Sequence, residues 1–324
     1  MPKLERLKNL AEKPIDPLPP TWPLVYHLMI ANDSPDLDTL GAAVAASGET
    51  SIFSYARESI EPMYYSTIGS DERQKISTGY GEKGLRTPDA EEAFSFIREG
   101  VDAGRGVYVA GPESGLCYGY SDTGRVEERE VYGVSNWGPA FDGTYSWAKF
   151  SEHIAAFGNA EGLSYVLRES EPASAEAILQ MIAATVVDWQ HQHPAANFGM
   201  SQEYYGLAAF KQFIQDVRDP ETRTQIDGAY INCHAILFQL GGRYWLGEYL
   251  QHLARKLTGD MQNRLRGIAD QYMRVYTGLK RFKEFDITEG KNENQVQAAA
   301  DWLEEAYHAD ERILEEFASL RDVL

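Results

Sequence analysis

The sequence predicts an α+β protein in which an α/β first half is followed by an all-α second half. Between Arg105 and Trp147, three short β-favouring runs, Gly106 to Ala110, Leu116 to Tyr120 and Glu130 to Val134, are separated by turn-forming residues. From Ser174 onward, apolar side chains recur at intervals of three and four, the period of helices with one buried face. The two patterns meet near Pro172. At 324 residues and 43% apolar composition, the chain can bury a core in each half. We therefore expect an extended N-terminal arm over 1–22, an α/β domain over 23–171 and a helical bundle over 172–324.

In chain order, Leu4, Leu7 and Leu10 predict a short amphipathic helix, and Pro14, Pro17, Pro19, Pro20 and Pro23 then enforce an extended path. Trp22 to Ile30 is apolar and reads as a strand or buried turn. Asp33-Ser34-Pro35-Asp36 supplies N-cap chemistry for a helix through Leu37, Leu40 and Val44, closed by Gly48. Thr50 to Leu85 mixes aromatic residues with Gly69, Gly79, Gly81 and Gly84 and predicts irregular structure. Asp89 caps a helix whose buried face is Ala93, Phe94, Ile97 and Val101, ending at Gly104. The three β runs follow, then a short helix over Tyr145 to His153 and a strand over Leu163 to Leu167.

The helical half reads as Ser174 to Gln192, Ser201 to Val217, Glu221 to Leu240, Arg243 to Thr258, Asp260 to Phe282 and Glu293 to Leu324. Pro194, Pro220, Gly241-Gly242, Gly259 and Gly290 supply the breaks. No strand-like alternation occurs in this half.

Charge narrows the range of partners. With 49 acidic and 30 basic residues the formal charge is −19, which repels phosphate backbones and anionic membranes. We expect neither nucleic acid nor membrane as a partner. The two cysteines, Cys117 and Cys233, lie far apart, so neither a disulfide framework nor a structural zinc site is indicated, and a reducing cytoplasm fits best. No apolar run approaches 18 residues, and the charged, then proline-rich start lacks the apolar stretch of a signal peptide.

The phrase Asp102-Ala103-Gly104-Arg105-Gly106-Val107-Tyr108-Val109-Ala110-Gly111-Pro112-Glu113 is followed by Tyr118-Gly119-Tyr120. With the element order around it, this resembles the papain-like, C39-like proteins related to the butirosin biosynthesis protein H N-terminal domain. The helical half is similar to the domain that follows in that group. The resemblance implies a papain-like fold and acyl-transfer or amide-hydrolysis chemistry. Such an enzyme places a cysteine at the start of its first core helix and a histidine across the cleft. Here the corresponding helix start reads Pro35-Asp36-Leu37-Asp38-Thr39, and the histidines of the first half are His27 and His153, neither in the Gly-Tyr strand. The resemblance thus implies the fold without its Cys–His dyad.

Glu113, held between Pro112 and Ser114 at a strand end, is the first candidate ligand contact, because a fixed carboxylate can bind an amine or a metal, or act as a base if desolvated. The alternative is a solvated turn acid. Tyr118, Tyr120 and Trp137 offer aromatic faces for a planar or sugar-like ligand, though sheet packing explains such residues as well. Asn136-Trp137-Gly138 gains interest because papain-like enzymes often carry such a phrase near the cleft. Cys117 is a weak candidate nucleophile, since a cysteine between Leu116 and Tyr118 in a strand is more often a small core residue. His191 and His193, two apart, do not share a helix face as a ligand pair would, and Cys233-His234 point about 100° apart on a helix. No metal site and no cofactor are expected, and no P-loop, GxGxxG, GxSxG or HExxH motif is present.

The resulting expectation is a catalytically degenerate papain-like protein binding a small molecule or peptide-like group near Glu113. The helical half would serve as lid or homodimer platform. An acyltransferase or amide hydrolase using a rearranged nucleophile such as Cys117, and a structural or assembly protein, are the alternatives.

Overall fold

The computed structural model describes residues 2–13, 15–48, 53–55, 70–109, 111, 115–135, 141–160, 162–191, 204–226, 236–285, 287 and 291–323. They form a mixed α+β protein of two compact units. One unit comprises Met1–Ile15, Thr21–Thr39 and Thr78–Pro172; the other comprises Asp16–Pro20, Leu40–Ser77 and Ala173–Leu324. The units therefore interleave along the chain, and a single cut near Pro172 does not describe them.

The first unit is built on a six-stranded antiparallel sheet. Its strands are β2 (Tyr80–Leu85), β3 (Val107–Val109), β4 (Gly115–Ser121), β5 (Glu130–Val134), β6 (Gly143–Ser146) and β7 (Leu163–Arg168), in the order β2-β7-β3-β4-β5-β6. Helices α5 (Ala90–Asp102) and α6 (Trp147–Phe157) cover one face. Their Ala93, Phe94, Ile97, Phe150 and Ile154 share a core with Val107, Val109, Val131 and Tyr165. As predicted, the Asp89 carboxylate caps α5, accepting from the Glu91 and Glu92 amides, and Gly104 follows the helix at φ +76°, a conformation that favours glycine. Helices α1 (Glu5–Ala11) and α2 (Thr21–Ile30) serve the other face, where Leu7 lies against Gly106 and Leu116, and Trp22 meets Tyr108 edge-on at 5.7 Å.

Pro2 to Leu4 complete this sheet. β3 pairs only with Gly115 to Cys117, leaving the rest of that β4 edge open. There the Leu4 amide donates to the Tyr118 carbonyl and the Tyr120 amide to the Pro2 carbonyl. The start of the chain thus takes the place along β4 that a longer β3 would occupy.

In the second unit, the two-residue strands β1 (Ser54–Tyr55) and β8 (Tyr204–Tyr205) pair antiparallel. Around them and beyond lie α3 (Leu37–Ser47, from Leu40 onward), α4 (Ser70–Thr78), α7 (Ala175–His191), α8 (Gly206–Arg218), α9 (Pro220–Arg223), α10 (Ile236–Ala254), α11 (Gly259–Phe285) and α12 (Glu293–Arg321). Phe53 stacks on Phe210 at 4.3 Å, and the Tyr55 hydroxyl donates to the buried Asp216 carboxylate at 2.9 Å. Where α11 meets α12, a Cβ on Gly278 would stand 2.7 Å from the Trp302 carbonyl oxygen, so glycine sets the close approach.

Several expectations are corrected. Trp22 to Ile30 is helix α2, with Pro23 in the first turn, where its missing amide costs nothing. The stretch Thr50 to Leu85 contains α4 and β2. α4 is held through its polar side chains: Gln74 donates to the Ala43 carbonyl and Arg73 to that of Ala46. Gly241 and Gly242 do not break a helix, because α10 runs through them. Gly241 lies so close to the Leu18 carbonyl that a Cβ would be 1.7 Å from it, and the Trp245 indole donates to the Pro17 carbonyl nearby. Among the described residues the helical half carries a short strand, β8, and β6 adds a strand beyond those the sequence predicts.

Candidate functional site

The register of the sheet locates the segments singled out by the sequence. Val109 lies opposite both Gly115 and Leu163, Leu116 opposite Val134, and Gly133 opposite Gly143. The turn between β3 and β4 and the loop between β5 and β6 therefore leave from the same end of the sheet. Glu113, Asn136 and Trp137 belong to these two connections and lie outside the described residues, as do His193, Cys233 and His234.

The foot of the β5–β6 loop is described. Phe141 is fully buried and holds φ +54°, a left-handed conformation that costs a bulky residue about 1–2 kcal/mol. Its ring lies 4.6 Å from that of Tyr145 and 5.4 Å from that of His153 on α6. The core thus grips the chain where the loop rejoins the sheet, and the Ser135 amide donates to the Asp142 carboxylate across the loop.

Tyr118 and Tyr120 do not join this end, and they do not act together. A β-bulge between Cys117 and Gly119 shifts the register, so Cys117 and Tyr120 both face α5 and α6 while Tyr118 faces α1. Tyr120 stands five residues beyond Gly115, about 17 Å along the strand. Its hydroxyl donates to Asp102 at 2.7 Å. Burial, then the Asp102 bond, push its pKa up to about 12. Tyr118 packs beside Tyr132 and lies under Lys8. Both rings have structural employment in the described chain.

Cys117 is fully buried, its thiol donating to the Gly119 carbonyl at 3.3 Å. Burial pushes the thiol up to about 12, the opposite of what a nucleophile needs. Cys117 is thus a core residue and not a rearranged nucleophile.

At the other end of the sheet, Asp33 and Asp36, which the sequence marks as cap residues, gather two polar groupings around the α2–α3 corner. Tyr80 opens β2 opposite Arg168, the last residue of β7, and Arg105 precedes β3. Asp33 accepts from the Tyr80 hydroxyl at 3.0 Å and pairs with Arg105, while the Arg168 guanidinium lies 4.9 Å from the Tyr80 ring centre. Burial alone would raise the Asp33 carboxyl, but the bonds from Arg105 and Tyr80 outweigh it and hold it below its ordinary value. Three residues on, Asp36 caps α3: its Oδ1 accepts from the Thr39 amide at 2.8 Å and from the Thr39 hydroxyl, and its Oδ2 from Ser34. Against the cost of burial, these donors hold Asp36 below the usual carboxylate range as well.

His27, on α2, is 2% exposed, and its Nδ1 has no hydrogen-bond partner among the described residues. Burial pushes its pKa down to about 4, opposed by the Asp36 charge. It is a neutral core histidine, too weakly basic for proton transfer near neutral pH. Among the described residues no group of three or more His, Cys, Asp or Glu side chains is placed to hold a metal ion, and no helix is long and apolar enough to cross a membrane.

Compared with known proteins, the sequence matches no family model and no curated protein.

Proposed function

We propose that this chain is a catalytically degenerate, papain-like protein that binds a small molecule or peptide-like group at the sheet end carrying Glu113, Asn136 and Trp137. The observation that carries the reading is the treatment of the positions thiol catalysis would need. At the start of α3, where a papain-like enzyme keeps its cysteine, the Asp36 carboxylate takes up the Thr39 amide that would favour a thiolate. The thiol of the strand, Cys117, is sealed in the core. An antiparallel sheet fed by the α5 helix and accompanied by a helical unit fits the layout on which the resemblance rests.

Binding at the turn end is supported by two segments leaving the sheet side by side and by Phe141, held left-handed at the foot of one of them. Strained backbone of this kind gathers at ligand sites. Glu113 would meet an amine or hydroxyl of the ligand and Trp137 an apolar or planar face.

The test is thermal unfolding of the full chain against a panel of metabolites, amino acids and short peptides. A true ligand raises the midpoint with concentration, contributing about 2.7 kcal/mol at a hundredfold excess over Kd. Glu113→Gln and Trp137→Ala should abolish that response while leaving the ligand-free midpoint close to the parent's. A panel without any stabilising compound, or variants that respond like the parent, would refute the proposal.

A further inference from the structure

The structure assigns to the edge of β4 a strand-addition site for a basic segment of a partner protein, which the chain's own residues 2–8 occupy as a tethered competitor. The seat lies wholly within the first unit. The Tyr118 carbonyl accepts from the Leu4 amide at 2.7 Å and the Tyr120 amide donates to the Pro2 carbonyl at 3.3 Å, a pairing of backbone groups that another extended segment can reproduce. Between these bonds Gly119 leaves a notch: a Cβ there would stand 2.9 Å from the Pro2 carbonyl oxygen, and its three nearest atoms all belong to Pro2 and Lys3. The Lys3 ammonium lies 3.9 Å from the centre of the Tyr132 ring and that of Lys8 5.9 Å from the centre of the Tyr118 ring, the two rings being neighbours at 6.3 Å. Leu7 is fully buried against Gly106 and Leu116.

The seat specifies its occupant. The open edge takes an extended backbone, the tyrosine faces take cations, and the apolar seat takes a leucine one helical turn further on. That pattern is Lys-Leu-x-x-Leu-Lys, as residues 3–8 spell it. Charge then decides where a second such segment comes from. Within residues 2–13, Lys3, Arg6, Lys8 and Lys13 stand against Glu5 and Glu12, so four minus two leaves +2 in a chain of −19. So acidic a chain attracts a basic partner, whereas a second copy brings a body of like charge and is repelled. The hold on the chain's own segment is slight, since Lys3, Glu5 and Arg6 are exposed and Leu7 is its buried side chain. Tethering compensates by keeping the segment at an effective concentration on the order of millimolar.

The test uses the full chain and, as probe, a fluorescein-labelled synthetic peptide with the sequence of Pro2 to Lys13. Lys3→Glu in the protein sets a carboxylate over Tyr132, whose hydroxyl donates to Glu130 at 2.8 Å, and so repels the chain's own segment at an exposed position. The peptide should bind the Lys3→Glu chain about tenfold or more tighter than the parent. That gain should vanish when the peptide itself carries Lys3→Glu, or when the chain also carries Gly119→Ala. Equal binding to parent and Lys3→Glu chains, or a gain that survives Gly119→Ala, overturns the site. Dimers of the Lys3→Glu chain in light scattering would hand the seat to a second copy and overturn the choice of partner. Hydrogen exchange on the parent needs no variant: the Tyr120 amide should exchange about tenfold or more faster than the amides bonded between β4 and β5, because it opens with the segment. Protection equal to theirs would make residues 2–4 a permanent strand and overturn the competitor role.

Discussion

Replacing His27 by glutamine should remove a defined part of the protein's acid sensitivity. His27 is 2% exposed, and burial pushes its pKa down to about 4 from an ordinary 6.5. In the unfolded chain the same imidazole binds a proton near pH 6.5. Between these values the unfolded state holds more protons than the folded state, so stability rises with pH across that window and falls as pH is lowered through it. Above about pH 6.5 the residue is neutral in both states and contributes no pH dependence. From there the loss accumulates at about 1.4 kcal/mol per pH unit, to about 3 kcal/mol at pH 4, and levels off below. Urea unfolding followed by tryptophan fluorescence, at half-unit steps from pH 7.5 to 4.5, measures it in both proteins. Asp33 and Asp36 titrate in each, so the difference between parent and His27→Gln isolates the histidine, whatever the variant's own baseline stability. A difference that stays constant over the whole range would show that His27 is not buried neutral and would refute the reasoning.

Native Cys117 should react with iodoacetamide at neutral pH on the order of a thousandfold more slowly than a free thiol, because a thiol pushed up to about 12 carries that much less thiolate; peptide mapping separates it from Cys233, and reaction at a free-thiol rate would contradict the buried placement. Gly241→Ala should lose about 2 kcal/mol or more, since a Cβ 1.7 Å from the Leu18 carbonyl displaces the segment whose Pro17 carbonyl bonds Trp245. Gly267→Ala, on α11 with no atom within 4 Å of the added carbon, should instead stabilise by up to about 1 kcal/mol, and the two unfolding curves together check the contrast. Arg243→Met alone should cost about 3–5 kcal/mol by stranding the Asp310 charge, whereas Arg243→Met with Asp310→Leu should recover most of it in the same assay.

What could be read from the sequence depended on whether the cause of each element lay nearby. β5, from Glu130 to Val134, was legible because its apolar run from Val131 lies between the charged stretch Glu127 to Glu130 and the turn residues Ser135-Asn136. α5 was legible because Asp89 and Gly104 mark its ends around a clear 3.6-residue stripe. α2 was misread because Trp22 to Ile30 is apolar but for His27 and shows no period, and a buried helix and a buried strand then look alike. Gly241 and Gly242 suggested a break because the reason for glycine there, the Leu18 carbonyl, is more than two hundred residues away. β1 and β8 consist of two residues each, paired across a separation of about 150, so no local pattern could announce them. For the candidate site, Cys117 was rightly suspected of belonging to the core. Tyr118 and Tyr120, read as aromatic faces for a ligand, would share one side of a regular strand, and the bulge at Cys117 and Gly119 sends them to opposite faces. The Asp33, Tyr80 and Arg105 grouping stayed hidden because its members are 47 and 72 residues apart and each has an ordinary local explanation.

The interleaving of the two units bears on how the chain is made. During synthesis, residues 40–77 emerge nearly a hundred positions ahead of Ala173, where the rest of their unit resumes. Pro2 to Leu4 wait still longer, until Tyr118 to Tyr120 appear, before their backbone finds a partner. Folding therefore cannot proceed one unit at a time from the ribosome, and the early segments must be kept from other strands while they wait. The same order means that neither unit can be excised as a continuous fragment. An expression fragment ending at Pro172 would carry residues 40–77 stripped of their core, and a fragment beginning at Ala173 would lack both those residues and the Pro17 carbonyl that Trp245 binds.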